Sequence, residues 1–133
     1  MEEHRPLAGD DPKWSSDEKS IADALCKQGL EVMSGRENDG RHPDFMINGL
    51  AADGKTLGKG TGSGTMANRA REVVRKRQAR IIVFDNRIAG IPEEEARRGI
   101  RRIAGAWGSN GHNVQYLDRI IVIGNGYFLD EVI

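Results

Sequence analysis

The hydrophobic runs predict an α/β domain, a mixed sheet flanked by helices in the order α-β-β-β-α-β-α-β. Three observations point there. Two short runs, 81–84 and 120–123, are continuously apolar and β-branched, as strands covered on both faces are. Two longer segments, about 66–78 and 92–106, carry apolar residues at helical spacing and fall between or beside those runs. Asn48-Gly49, set between two strand-like stretches, is a strong short-range hairpin signal. The chain has 133 residues, enough for one buried core and short for two.

Each element follows from local chemistry. Residues 1–14 carry Pro6, Gly9 and Pro12 with little periodicity and read as a linker or flexible arm, leaving 15–133 as the folded domain. Ser15 with Glu18 three residues on is a capping-box pattern, so a helix opens there, runs to about Gln28 and stops at Gly29. Its predicted inner stripe is Ile21, Ala24, Leu25 and Gln28. A short strand covers 30–34, a polar loop 35–41, and a second strand 45–47. A third strand, 51–57, follows the Asn-Gly turn. Glycine-rich 58–65 reads as a flap, and the next helix should bury Ala70, Val73 and Val74. Pro92 suits the first turn of the last helix. Tyr127 to Leu129 are expected to add an edge strand.

Composition excludes several functions. No apolar run approaches the roughly 20 residues of a membrane span, and the N-terminus lacks a signal-peptide pattern. One cysteine, Cys26, excludes an intrachain disulfide framework and a cysteine-rich zinc site, and it reads as a core thiol. Three scattered histidines make a histidine-built metal site a poor fit. Seven aromatics are too few for a base-stacking platform. The 20 basic and 20 acidic residues cancel, but they are segregated: residues 69–80 hold six bases and one acid. A second basic group, Arg97, Arg98, Arg101 and Arg102, follows Glu93-Glu94-Glu95. Such a segment on a neutral chain reads either as a patch for a polyanion or as ordinary solvated helix faces. The glycine loop lacks GxxxxGK[ST] and is not a P-loop.

The hairpin organises the candidate chemistry. With Asn48-Gly49 as a two-residue turn, Ile47 pairs with Leu50, Met46 with Ala51 and Phe45 with Ala52. Asp44 then falls opposite Asp53, with Cβ atoms about 5 Å apart. Alternation puts Lys55 on the face of Asp53. Facing carboxylates repel unless a cation sits between them, and Mg²⁺ suits one or two carboxylates plus water and phosphate. Lys55 is placed to hold a nucleophilic water or to stabilise charge on a phosphorane. The alternative is that Asp53-Gly54 forms another turn, or that the hairpin slips by one residue and parts the two acids.

Pro43-Asp44 followed by Asp53-Gly54-Lys55 resembles the PD-(D/E)xK nuclease motif, and the element order resembles that superfamily's core. Glu18-Lys19-x-Ile21-Ala22, PDFMING, Lys55-Thr56-Leu57, GSGTMANR, Gln78-Ala79-Arg80 before IIVFD, and IPEEEARRGIRRI before RIIVIG are together similar to the C-terminal tRNase toxin domains of contact-dependent growth inhibition (CdiA-type) proteins. The likeness covers about residues 15–126. It implies a metal-dependent tRNA endonuclease, delivered from a secreted or cell-surface effector into the target-cell cytoplasm and neutralised by a cognate immunity protein. Asp44 and Asp53 would hold a divalent metal, Mg²⁺ first with Mn²⁺ or Zn²⁺ as alternatives, and Lys55 would assist attack. Asp53 and Gly54 depart from the motif, which more often has glutamate and a bulkier residue there.

Other residues carry two readings each. Glu18 is either the capping-box partner of Ser15 or a third acid in the site, and both can hold. Gln78 either reaches the site, as a motif glutamine on this helix does in related nucleases, or is a polar helix end. Asn68 and Arg69 are expected to begin the basic helix, where backbone N–H groups favour phosphate. Arg71, Arg75 and Arg77 would then grip a nucleic-acid backbone, or some are plain surface. His42 is a loop histidine that either moves a proton or is incidental. The competing functions are a restriction-type DNA endonuclease with the same chemistry, and a non-catalytic nucleic-acid- or partner-binding module.

Overall fold

In the computed structural model, which describes residues 14–35, 43–76, 79–109 and 117–133, six strands form one sheet in simple sequential order. They are β1 (Val32–Ser34), β2 (Phe45–Ile47), β3 (Leu50–Thr56), β4 (Ile81–Asp85), β5 (Arg119–Gly124) and β6 (Tyr127–Val132). Three helices complete the fold: α1 (Ser16–Lys27), α2 (Ser63–Lys76) and α3 (Glu93–Ser109). β1, β2 and β3 run antiparallel, β3, β4 and β5 parallel, and β6 returns antiparallel to β5. The predicted mixed sheet and element order hold.

Two hydrophobic clusters, one on each face, make three layers. Ile21, Ala22 and Leu25 of α1 pack with Phe45, Ala52, Ile81, Val83 and Ile121. Met66, Ala70 and Val73 of α2, with Ala96, Ile100 and Ile103 of α3, cover Ile82, Phe84, Ile120 and Val122. Every residue of β4 is therefore buried, which is why its sequence shows no polar alternation. Gly99 is the seam between α2 and α3, where an added Cβ would stand 2.7 Å from the Met66 sulfur.

Several boundaries and faces move. The helix α2 starts three residues before Met66, so Ser63 and Gly64 of the presumed flap are helical. On α1 the buried third residue is Ala22, while Ala24 is half-buried and Gln28 exposed at the C-cap. Gln28 falls off the stripe because the helix ends at Lys27 and Gln28, as its C-cap, no longer has helical geometry. Val74 and Cys26 are likewise only half-buried, flanking the core. Trp14, the last residue of the predicted arm, is 8% exposed and belongs to the α1-side core. Residues 1–13, His42, Arg77 and Gln78 lie outside the described residues. Among the described residues, no helix is long and apolar enough to cross a membrane.

Candidate active site

The hairpin pairs as its turn chemistry predicts. Asn48 and Gly49 have φ of 50° and 85°, the left-handed pair that a type I′ turn needs, and Phe45 stands opposite Ala52. The β2 pairing stops at that pair, but β3 continues to Thr56, so the stretch 53–56 has no β2 partner on that side. Asp44 sits beside this stretch. Its Oδ2 accepts a 3.0 Å hydrogen bond from the Gly54 backbone N–H, which ties it across the gap to β3. The turn reading of Asp53-Gly54 is thereby overturned: both residues are inside β3, in register with Ile82 and Val83.

Asp53 is only 7% exposed. Lys55 Nζ stands 3.0 Å from its Oδ2, as expected for residues two apart on one strand face. That contact supplies charge but lies off the line of a hydrogen bond, and Oδ2 otherwise has no hydrogen-bond partner. Asp44 responds strongly to this setting. Burial, a hydrogen bond to Asp53 and the Asp53 charge together push its pKa up to about 8, with Glu18 adding to the rise and the Gly54 N–H opposing it. Around neutral pH, Asp44 therefore keeps a proton that an isolated aspartate would have lost.

Glu18 is the capping-box partner of Ser15. Its Oε1 accepts from the Ser15 N–H at 2.9 Å while its own N–H donates to Ser15 Oγ at 3.1 Å, a complete capping box. Its charge also reaches Asp44. Glu18 lines a cleft of about 290 Å³ with Ser15, Asp17, Gly54, Lys55, Thr56 and Arg69. Among the described residues no group of three or more carboxylate, imidazole or thiol side chains is set to hold a metal; Asp44 and Asp53 are a pair of adjacent carboxyls. A buried carboxylate oxygen whose close polar neighbour is the Lys55 ammonium, beside a second carboxyl, is an all-oxygen pair of the kind that suits a hard cation such as Mg²⁺.

On α2, Asn68, Arg69, Arg71 and Arg75 line a second cleft of about 390 Å³ with Thr65 and Glu72. Arg71 Nη1 donates to Asn68 Oδ1 at 3.3 Å. The expected reason for phosphate affinity at Asn68 and Arg69 fails, however. With the helix starting at Ser63, both lie in its second turn, past the four free N–H groups. The Ser63 N–H is taken by Glu95 Oε2 at 3.2 Å. Any anion held at Asn68 and Arg69 is held by side chains.

Three residues of the site have no motif behind them. Trp14 Nε1 donates to the Asp44 carbonyl at 3.0 Å, and its ring lies 5.3 Å from that of Phe45 at 55°. Thr56 Oγ1 is buried without a hydrogen-bond partner at the edge of the cleft. Arg87 grips Asp85, the register neighbour of Thr56, through Nε–Oδ1 and Nη2–Oδ2 contacts of 2.8 Å each, and reaches Ser20 Oγ on α1 at 2.9 Å. A large aromatic immediately before an N-cap serine was the signal for the first. Nothing in the sequence pairs Arg87 with α1.

Comparison with known proteins identifies the family. The model of the contact-dependent growth inhibition CdiA C-terminal domain matches residues 41–127, which include the whole hairpin, both aspartates, Lys55 and the basic helix. The chain belongs to that family. No curated protein matches it. Among solved structures, this CdiA C-terminal domain is similar to a chain of the CdiA-CT/CdiI toxin and immunity complex from Burkholderia pseudomallei. The TM-score is 0.65 at 23% identity, over 87% of this chain and 82% of that one, a likeness of fold.

Proposed function

We propose that this domain is a metal-dependent endoribonuclease that cleaves tRNA, acting as a toxin in competition between bacteria. One observation carries the reading: Asp44 and Asp53 share a partly buried bay at the end of an unpaired strand edge, with Lys55 Nζ 3.0 Å from Asp53. Two acids and a lysine at such an edge are what the PD-(D/E)xK motif uses for phosphodiester hydrolysis. Family membership and the toxin–immunity complex among its structural relatives support the toxin role and a cognate immunity protein. They equally support delivery from a cell-surface or secreted effector into the target-cell cytoplasm.

In the proposed mechanism Asp44 and Asp53 hold a divalent cation, most simply Mg²⁺. When bound, such an ion polarises a phosphoryl oxygen and acidifies water. With such an ion bound, Asp44 would be held as a carboxylate, because the positive charge would offset the burial and the Asp53 contacts that raise its pKa. Lys55, anchored by Asp53, presents its ammonium to the attacking water or to charge gathering on the phosphate. Glu18 adds negative potential at the cleft's other wall, and the cations of α2 offset it for an incoming polyanion. Gln78 and Arg77 follow directly on this helix, and their proposed roles rest on sequence alone.

The test is direct. Purified domain is incubated with total tRNA and with duplex DNA, with and without Mg²⁺. Discrete tRNA fragments formed only with metal are expected. Cleavage of duplex DNA instead would shift the reading to a restriction-type enzyme, and no cleavage of either would leave a binding module.

A further inference from the structure

Arg69 is the one residue that lines both clefts. The outer cleft runs along α2, where Asn68, Arg71, Glu72 and Arg75 recur at three- and four-residue spacing and so share a face. From Asn68 to Arg75 the helix rises about 10 Å. At about 3.4 Å of axis per phosphate in one stacked strand, that length matches about three phosphates. The inner cleft is different in charge. Asp17 and Glu18 line it, with Lys55 engaged at 3.0 Å to Asp53, so its other cation is the exposed guanidinium of Arg69.

A phosphate entering the inner cleft meets the carboxylates of Asp17 and Glu18 on α1, beside a Lys55 already paired with Asp53, and needs a cation there that is not spent on an acid. A strand that crosses the active site must also be held on the far side of the bond to be cut. Arg69 stands at the junction where both needs meet. We infer that Arg69 joins the two clefts into a single track for one nucleic-acid strand. Its guanidinium takes the phosphate beside the Asp44–Asp53 pair, and Asn68, Arg71 and Arg75 take phosphates further along the same strand. The planar fork of arginine suits this better than lysine, because it can offer two parallel N–H donors to one phosphate. The inference rests on the nuclease reading, and it assigns Arg69 a role distinct from its neighbours on the same helix.

The experiment compares Arg69→Gln, Arg69→Lys and Arg75→Gln, with folding of each checked by circular dichroism. Saturation kinetics are measured on tRNA with Mg²⁺, and tRNA affinity is measured against salt in EDTA. Arg69→Gln should lower kcat by about 30- to 100-fold, as loss of a donor to transition-state charge does. Arg69→Lys should recover only part of it. Arg75→Gln should instead raise KM several-fold, a loss that saturating tRNA overcomes. In EDTA, each Gln variant should flatten the slope of log K against log salt by about one unit. A kcat for Arg69→Gln within twofold of wild type, in a wild type that does cleave tRNA, overturns the inference. If wild type cleaves nothing, the nuclease reading fails, and the EDTA arm then decides the track: a slope unchanged by Arg69→Gln ends it.

Discussion

Asp44→Asn should remove a pH dependence of stability that the wild type carries in metal-free buffer. The Asp44 carboxyl titrates near 3.8 in the unfolded chain and about 8 in the fold. Between those values the native state holds one proton more than the unfolded state, so stability falls as pH rises. The contribution is fully present below about pH 4 and is lost as pH climbs through about 8. Each unit of pH in that window is worth up to about 1.4 kcal/mol. Asp44 is only half-buried, and screening at the open bay reduces this, so about 1–2 kcal/mol is expected between pH 4.5 and 7.5. Asparagine keeps an oxygen for the Gly54 N–H and an N–H for Asp53, but it has no proton to lose. Urea unfolding in EDTA at pH 4.5, 6 and 7.5 should show the two proteins converging in acid and Asp44→Asn ahead at pH 7.5. Titrating groups that do not interact with Asp44 are common to both and cancel in the difference, which therefore reads Asp44 together with its contacts to Asp53 and Glu18. Parallel curves across the range would refute the reasoning. Adding Mg²⁺ at pH 7.5 should stabilise wild type and leave the variant nearly unchanged.

Four further outcomes are expected. Asp44→Ala, Asp53→Ala and Lys55→Ala should each abolish tRNA cleavage in a folded protein, and full activity in any two of them would remove the site. Changing Arg71 and Arg75 together to Gln should flatten the salt slope of tRNA binding by about two units; an unchanged slope would move the binding face to the arginines of α3. Trp14→Phe keeps the ring against Phe45 but loses the donor to the Asp44 carbonyl, and should weaken Mg²⁺ binding measured by calorimetry with little change in melting temperature. Expression of the domain alone should arrest bacterial growth, with Asp44→Ala harmless.

The fold was legible wherever one local signal decided it. Asn48-Gly49 set the register of the hairpin, and with it the meeting of Asp44 and Asp53, because a left-handed pair closes a two-residue turn with a twist that matches the strands. The same dipeptide at Asn125-Gly126 closes the last hairpin with one left-handed residue instead of two, Gly126 at φ 84°, and Gly124 stands opposite Tyr127. Reading that turn as well would have extended the edge strand to Val132. Helix ends were less legible. α2 has no capping side chain of its own nearby, since its first N–H is satisfied by Glu95 from α3, a tertiary contact with no trace in the local sequence. That one displacement moved Asn68 and Arg69 away from the helix start. Arg87 and Trp14 were missed for the same reason, as each contact spans at least 30 residues.

Gly54, where the PD-(D/E)xK pattern that the sequence resembles more often has a bulkier residue, stands at a tightly packed point. An added Cβ at Gly54 would stand 2.9 Å from Phe45 Cε2 and 3.0 Å from Ile21 Cδ1, against a ring already fixed by Trp14. A bulkier residue would therefore push Phe45 outward. Phe45 adjoins Asp44 in the chain, and the Gly54 N–H holds Asp44 across the gap. Gly54 thus lets the two strands close on each other at the point where the shorter acid stands. Asp53 reaches one methylene less far than glutamate, and the close approach brings Asp44 towards it. The two departures are therefore expected to compensate. Gly54→Ala should accordingly cost about 1–3 kcal/mol of stability by overpacking. Asp53→Glu in the same background should recover cleavage that Asp53→Glu alone does not sustain, measured as kcat on tRNA. Equal activity of Asp53→Glu with and without Gly54→Ala would show that the two positions act independently.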